Sequence, residues 1–307
     1  MKKIEVLGLQ SIPEIKQGDN LAEIVVNCAR NEIGGLLEKD IIVLTSKIVS
    51  KAAGLTRRLS EVKPGKKALA ISRKTGKDAR WVQMIFDAGH EILAIIPLEG
   101  LVEQHIMNAS KDSNCTRELI EHERAMCVTR DKNGRICTSD AGIDGSNHPV
   151  DVVSLLPADA DGEARKVREQ VQKLCGKKVA VILADTEMMP FGTMDLAVGS
   201  SGIEPRAKMF GKKDLFGKPK FGGMDLVAYE LTAASALVFG QVNEGIPVAI
   251  IRGCEYEISE TENISNTLLP RAGGMGVAEV VKATMRATAA ARPLKERILL
   301  KIASWFV

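Results

Sequence analysis

The run Val179-Ala180-Val181-Ile182-Leu183-Ala184, which gives way at once to Asp185-Thr186-Glu187, constrains this chain more than any other stretch. Consecutive apolar residues of this kind fit a strand buried on both faces. A carboxylate just past such a strand's end stands on a rigid platform, facing the crevice where α/β sheets keep their ligands. Pro190 and Gly192 then stop any immediate helix, and Leu196-Ala197-Val198 resumes the apolar character. An isolated Asp-Thr pair would read as a turn cap. What shifts the reading is a second acidic turn, Ala141-Gly142-Ile143-Asp144-Gly145-Ser146-Asn147. Together the two could supply oxygen ligands for a metal and its phosphates.

At 307 residues the chain can bury a large core in one elaborate domain or two. Aromatic residues make up only 4%, so that core must rest on Val, Ile, Leu, Ala and Met. A net charge of +3 argues against a nucleic-acid partner. The six cysteines are scattered, with no C-x-x-C pair and no His at zinc spacing, which argues against a zinc site or a disulfide framework and points to reduced thiols in a cytoplasm. Met1-Lys2-Lys3-Ile4 lacks the apolar core of a signal peptide, and no apolar run approaches the ~18 residues of a membrane span.

Along the chain, Ile4 to Leu9 reads as a strand and Leu21 to Arg30 as a helix capped by Asp19 or Asn20. Asp40 to Leu44 is a second apolar strand, leading into Thr45 to Gly54 with its pairs Ser46-Lys47 and Ser50-Lys51. If that segment is extended, the two serines share one face and the two lysines the other, an arrangement suited to phosphate or to solvent. Gly65 to Gly89 reads as mostly helical and Ile92 to Ile96 as a strand. Pro97 to Glu123 reads as a polar insertion. Asn133-Gly134 between Met126–Thr129 and Arg135–Thr138 signals a hairpin. A helix from Glu163 to Leu174 should stop at Gly176. Gly202 to Gly223, rich in Lys and Phe, is a solvated loop or a clamp for an anion. Asp225 to Val238 reads as a buried helix, Gly240 to Pro247 as a polar turn and Val248 to Ile251 as a strand. Helices are expected over Gly276–Ala291 and Leu294–Val307.

Three small polar turns thus abut apolar strands, at 141–147, 185–187 and 240–247, with the Ser-Lys element as a fourth candidate. Carboxylates, hydroxyls and lysines from separate strand ends suit Mg²⁺ or Mn²⁺ with nucleotide phosphates. Neither G-x-x-x-x-G-K-[ST] nor G-x-G-x-x-G occurs, so the site is not a P-loop or a Rossmann crevice.

At these residues the chain resembles the coenzyme F420-0:L-glutamate ligases. The matching pieces come in family order: Ile12-Pro13-Glu14-Ile15-Lys16 with Gly18-Asp19; Thr45 to Ala52; Ala141-Gly142-Ile143-Asp144 with Ser146-Asn147; Leu155-Leu156-Pro157; Asp185-Thr186; Asp214-Leu215-Phe216-Gly217; and Gly240-Gln241, Glu244 to Pro247 and Arg252-Gly253. The resemblance spans residues 4 to 255, with 97–123 as an insertion and 256–307 as a helical extension. It implies a mixed α/β fold of unusual architecture, with mixed and antiparallel sheets, forming an intertwined homodimer. It implies GTP-dependent addition of L-glutamate to the F420-0 acceptor through an amide bond. Asp144, Asp185 and Thr186 would hold two divalent metals with help from Gln241 and Glu244, and K⁺ is a further expected ion. GTP would be contacted by Gln10, Ser11, Ile12 and Pro13, by Ser46, Lys47, Lys51 and Asn147, and by Gly240, Gln241, Glu244 and Gly245. Lys51, Asp144 and Asp185 would carry the chemistry.

The implied reaction is physically coherent. A carboxylate is a poor electrophile, so phosphoryl transfer from GTP first makes an acyl phosphate, which the glutamate amine then attacks. Metals and a lysine would stabilise the charge in transit. One departure bears on the acceptor. The family continues Asp-Thr with a Gly-Arg-Pro-Phe/Trp-Arg-x-Gly type segment, whereas this chain has Glu187-Met188-Met189-Pro190-Phe191-Gly192, without either arginine. Methionine cannot bind phosphate bidentately. The chain therefore reads as a diverged paralogue, with a folate or another pterin as rival acceptor and a non-catalytic nucleotide-binding role as a third possibility.

Overall fold

Alternating side chains on four apolar strands build two cores on opposite faces of one sheet. The computed structural model describes residues 2–98, 123–189, 192–209, 211–220, 224–267, 284–285 and 288–303. In chain order the elements are β1 (Glu5–Gly8), α1 (Leu21–Ile33), β2 (Ile41–Thr45), α2 (Ser46–Ala52), β3 (Thr56–Arg58), α3 (Lys66–Thr75), α4 (Ala79–Asp87), β4 (Glu91–Pro97), β5 (Ala125–Arg130), β6 (Ile136–Cys137) and β7 (Val152–Ser154). They continue with α5 (Ala160–Cys175), β8 (Ala180–Met189), β9 (Gly192–Ser201), β10 (Ala207–Lys208), β11 (Met224–Asp225), α6 (Val227–Phe239), β12 (Val248–Arg252) and α7 (Leu294–Ala303).

The main sheet runs β1-β12-β2-β8-β9. Only β2 and β8 are parallel, and the other neighbours are antiparallel, so the fold is mixed α/β. Ile42, Leu44, Val181, Leu183, Val248 and Ile250 face α1 and α5. The alternate residues Ile41, Val43, Ile182, Ala249 and Ile251 face α6. This is the period of two that a strand imposes, here covered by helices on both sides. Asn20, one of the two expected caps, accepts from the Glu23 amide at the start of α1, and Gly176 ends α5 in the left-handed conformation. A smaller core unites α4, β5, β7 and the Asp140–Ile143 turn through Met84, Ile85, Cys127, Ala141, Ile143 and Val153. The expected hairpin is β5 paired antiparallel with β6.

Two expectations need correction. The Ser-Lys segment is the helix α2, not a strand. Its pairs still sort onto two faces, because residues four apart coincide on a helix as well. The run from Val179 does not end at Asp185: β8 continues to Met189 and folds back on β9. A register shift between Leu183 and Ala184 lets polar residues follow the apolar half without breaking the hairpin. Gly65 to Gly89 is mostly helical as expected, in two pieces, α3 and α4, divided at Gly76, which takes a left-handed conformation. The insertion expected at 97–123 and the helix expected over 276–291 lie largely outside the described residues.

Met1–Lys132 with Ile136–Thr267 form one compact unit, and Asn133–Arg135 with Leu268–Val307 another. All three cores belong to the first. In the second, α7 carries Leu294, Ile298, Leu299 and Ile302 as exposed apolar side chains. No described helix is long and apolar enough to cross a membrane.

Candidate active site

One cavity of about 700 Å³ opens at the end of β2, beside the middle of β8, and it collects all four of the polar elements singled out in the sequence. The start of α2 contributes Ser46, Lys47 and Lys51. The second acidic turn gives Asp144, Ser146 and Asn147, the hairpin gives Asp185 and Thr186, and the turn after α6 supplies Gly240, Gln241, Glu244 and Gly245. Ile12 and Pro13 also line it. Gln10 and Ser11 do not: both are exposed, and their backbone amides donate to Glu32 at 2.8 and 2.9 Å.

The parallel pairing of β2 with β8 explains why Ser46 meets Asp185. Thr45 lies beside Ala184 in the register, so the residues that follow, Ser46 at the start of α2 and Asp185 within β8, come out side by side. The Ser46 hydroxyl donates to Asp185 Oδ1 at 2.6 Å. Lys47 Nζ stands 2.7 Å from Asp144 Oδ2 and donates to the Ser146 hydroxyl at 2.6 Å. Lys51 Nζ reaches Glu14 Oε1 at 2.6 Å and the Asn147 carbonyl at 3.1 Å. The Asn147 amide donates to the Val242 carbonyl at 3.0 Å, tying the acidic turn to the turn after α6. Glu244 folds back onto its own turn and accepts from the Val242 amide.

A strained left-handed turn brings the acidic loop to Asp185. Asp140, Ala141 and Gly142 have successive φ values of 52°, 63° and 69°. Non-glycine residues pay about 1–2 kcal/mol each for this conformation. The buried Asp140 carboxylate is gripped by Lys77 Nζ at 2.5 Å and by the Cys127 amide at 2.8 Å, and Lys77 also binds Glu123 at 2.6 Å. Gly142 is required as well as permitted here. A Cβ at that position would lie 2.9 Å from Leu156 Cβ and 3.3 Å from Asp185 Oδ2.

Two carboxyl groups in this cavity are shifted in opposite directions. Burial opposes ionisation of Asp144, but the Lys47 ammonium and hydrogen bonds from Lys47 and Ser146 outweigh it and hold that carboxyl below its ordinary range. Asp185 is pushed up to about 7 by burial. The Ser46 hydrogen bond works against that rise, and the nearby carboxylates of Glu187, Asp144 and Asp195 add to it. Crowded carboxylates with a suppressed ionisation suit a hard divalent cation, which would relieve the repulsion. Asp144, Asp185 and Thr186 could hold one, with Gln241 on the same wall. Among the described residues, no three His, Cys, Asp or Glu side chains already converge on a single ion-sized point.

Several residues at or beside the cavity were given no site role from the sequence. Asp195 lines the cavity and is buried, receiving the Thr186 hydroxyl at 2.7 Å. Glu187, also buried, accepts from the Thr138 amide and hydroxyl, both at 2.6 Å, and from the Ser139 hydroxyl at 3.0 Å. Trp81, Glu123 and Asp140 also line the cavity. Asp195 could have been found by pairing β8 with β9, whose register sets it opposite Thr186.

Residues 10–253 match the model of the F420-0:Gamma-glutamyl ligase family. The chain belongs to that family. Among curated members, it is 36% identical over 267 residues to the Coenzyme F420:L-glutamate ligase of Methanosarcina acetivorans, covering 85% of this chain and 92% of that protein. The ligase of the same name from Methanothermobacter thermautotrophicus is 36% identical over 253 residues, covering 81% and 89%. The one from Archaeoglobus fulgidus is 32% identical over 253 residues, covering 82% and 88%. The family match includes every cavity-lining residue and stops before the second compact unit resumes at Leu268.

Proposed function

We propose that this chain is a GTP- and divalent-metal-dependent ligase that joins L-glutamate to coenzyme F420-0 through an amide bond, by way of an acyl phosphate, and that it works as an intertwined homodimer. Family membership supports the ligase chemistry. The observation that carries the reading is the cavity in which Lys47, Lys51, Asp144, Asp185, Asp195 and the hydroxyl groups of Ser46 and Thr186, drawn from distant segments, face one another.

In this reading Lys47 and Lys51 bind the nucleotide phosphates, exchanging part of their contacts with Asp144 and Glu14 for the incoming charge. Asn147 and the turn of Gly240, Gln241, Glu244 and Gly245 frame the nucleotide. Ile12 and Pro13 form an apolar wall, and Gln10 and Ser11 steady that segment through Glu32. A divalent ion bound by Asp144, Asp185 and Thr186 would neutralise phosphate charge as the phosphoryl group moves. The γ-phosphoryl group passes to the acceptor carboxylate and GDP leaves. The amine of L-glutamate then forms the amide bond as phosphate departs.

A second reading keeps the chemistry and changes the acceptor to a folate or another pterin. It is favoured by Met188 and Met189, which stand in the segment where the family pattern carries arginine. The test is GDP release from GTP with Mg²⁺ or Mn²⁺ and L-glutamate, with and without F420-0. GDP release that depends on F420-0, with a glutamyl mass gain on the acceptor, is the expected result. Turnover on folate alone would replace the acceptor. Nucleotide binding without turnover on any acceptor would end the ligase reading.

A further inference from the structure

Asp195 is 4% exposed and lies opposite Thr186 in the β8–β9 register, on the wall of the cavity. Its Oδ1 atom accepts two hydrogen bonds, from the Thr186 hydroxyl at 2.7 Å and from Gln241 Nε2 at 3.3 Å. Thr186 belongs to the sheet and Gln241 to the turn after α6, so one carboxylate oxygen joins two separate segments of the site.

The donor and acceptor inventory of these groups gives the contact a direction. A hydroxyl has one proton and two lone pairs, and an amide has its donors on nitrogen and its acceptors on oxygen. Thr186 gives its proton to Asp195 and so keeps its lone pairs for another partner. Gln241 gives an N–H and so keeps its carbonyl oxygen. Without Asp195, each of these side chains could turn a donor toward the cavity, which a cation would repel. Resting on the metal-dependent reading above, we infer that Asp195 is a positioning residue: it orients Thr186 and Gln241 as neutral oxygen donors for a divalent cation and does not itself bind the ion.

The test is Mn²⁺ binding to the nucleotide-free protein, followed by calorimetry and by the electron paramagnetic resonance of free Mn²⁺. Asp195→Asn keeps a carbonyl oxygen where Oδ1 lies and removes the charge. Asp195→Glu keeps the charge and displaces the oxygen by a methylene. Positioning predicts that the Asn variant binds Mn²⁺ within a few-fold of the parent. The Glu variant should bind about tenfold or more weakly, the usual cost of losing a residue that orients metal ligands. Thr186→Val should weaken binding as the Glu variant does, and combining the two should add little. The reverse order, with Glu tolerated and Asn not, would make Asp195 a charged ligand and overturn the inference. So would three variants that all bind like the parent, or a parent that binds no Mn²⁺. The ligase reading is decided separately by acceptor-dependent GDP release, which can persist whichever way Mn²⁺ binding falls.

Discussion

Asp185 has an unusual ionisation because its nearest neighbours are Ser46 and other carboxylates, with the lysines committed elsewhere. Its carboxyl is pushed up to about 7, so in the metal-free protein the native state holds a proton that the unfolded chain releases near pH 4. The stabilisation from that proton is complete below the unfolded value and is lost as pH rises through about 7. In the presence of EDTA, Asp185→Asn should therefore match the parent in urea stability near pH 4 and exceed it by a few kcal/mol at pH 8. Equal stability at both pH values would show that Asp185 ionises normally. The same substitution should abolish turnover, since the amide cannot supply the charge of a carboxylate. At this scale Asp185 and Thr186 were legible because they follow an apolar run, Asp144 because it sits in a second acidic turn, and Lys51 through its Ser-Lys pair and the family resemblance. Asp195 was hidden, and Glu187, though part of the 185–187 turn, was given no role, because the strand was read as stopping at Asp185 and neither residue was assigned a cross-strand partner.

Elements meet at two places where a single atom matters. β9 passes so close to α5 that a Cβ on Gly199 would come within 2.6 Å of the Ala160 carbonyl oxygen. Backbone atoms cannot yield as a flexible side chain would. Gly199→Ala should cost about 1–3 kcal/mol, as overpacking does, measured by urea denaturation. The second place is the left-handed turn at Asp140–Gly142. Lys77 is 3% exposed and balances two carboxylates there, and burial disfavours its charge while Asp140 and Glu123 more than restore it. Lys77→Met leaves both carboxylates without their cation. It should destabilise the protein by about 3–5 kcal/mol at neutral pH. A loss below 1 kcal/mol in the same urea measurement would mean the turn is held by other contacts. The sequence displayed most strands and helices through their apolar period. It misled at α2, because two Ser-Lys pairs four residues apart sort onto two faces in a helix and in a strand alike.

For the whole chain, the cores of the first unit contain no residue after Ile264, and the family match ends at residue 253. A chain ending at Thr267 should thus unfold in one cooperative calorimetric transition and still bind Mn²⁺. A non-cooperative transition would show that Leu268–Val307 is needed to complete the fold.

Strand order also sets a timetable for synthesis. β12, among the last strands made, inserts between β1 and β2, two of the first. Until Val248–Arg252 has left the ribosome, β1 and β2 keep unpaired edges that no earlier strand can cover. At translation rates of about 5–20 residues per second, that exposure lasts on the order of 10–40 s. Proteolysis of ribosome-bound nascent chains should find the amino-terminal half cleavable until β12 emerges, and resistance in shorter chains would show that another pairing protects it. The active site closes last for the same reason: its α2 and hairpin walls stand on a sheet that only its final strand completes.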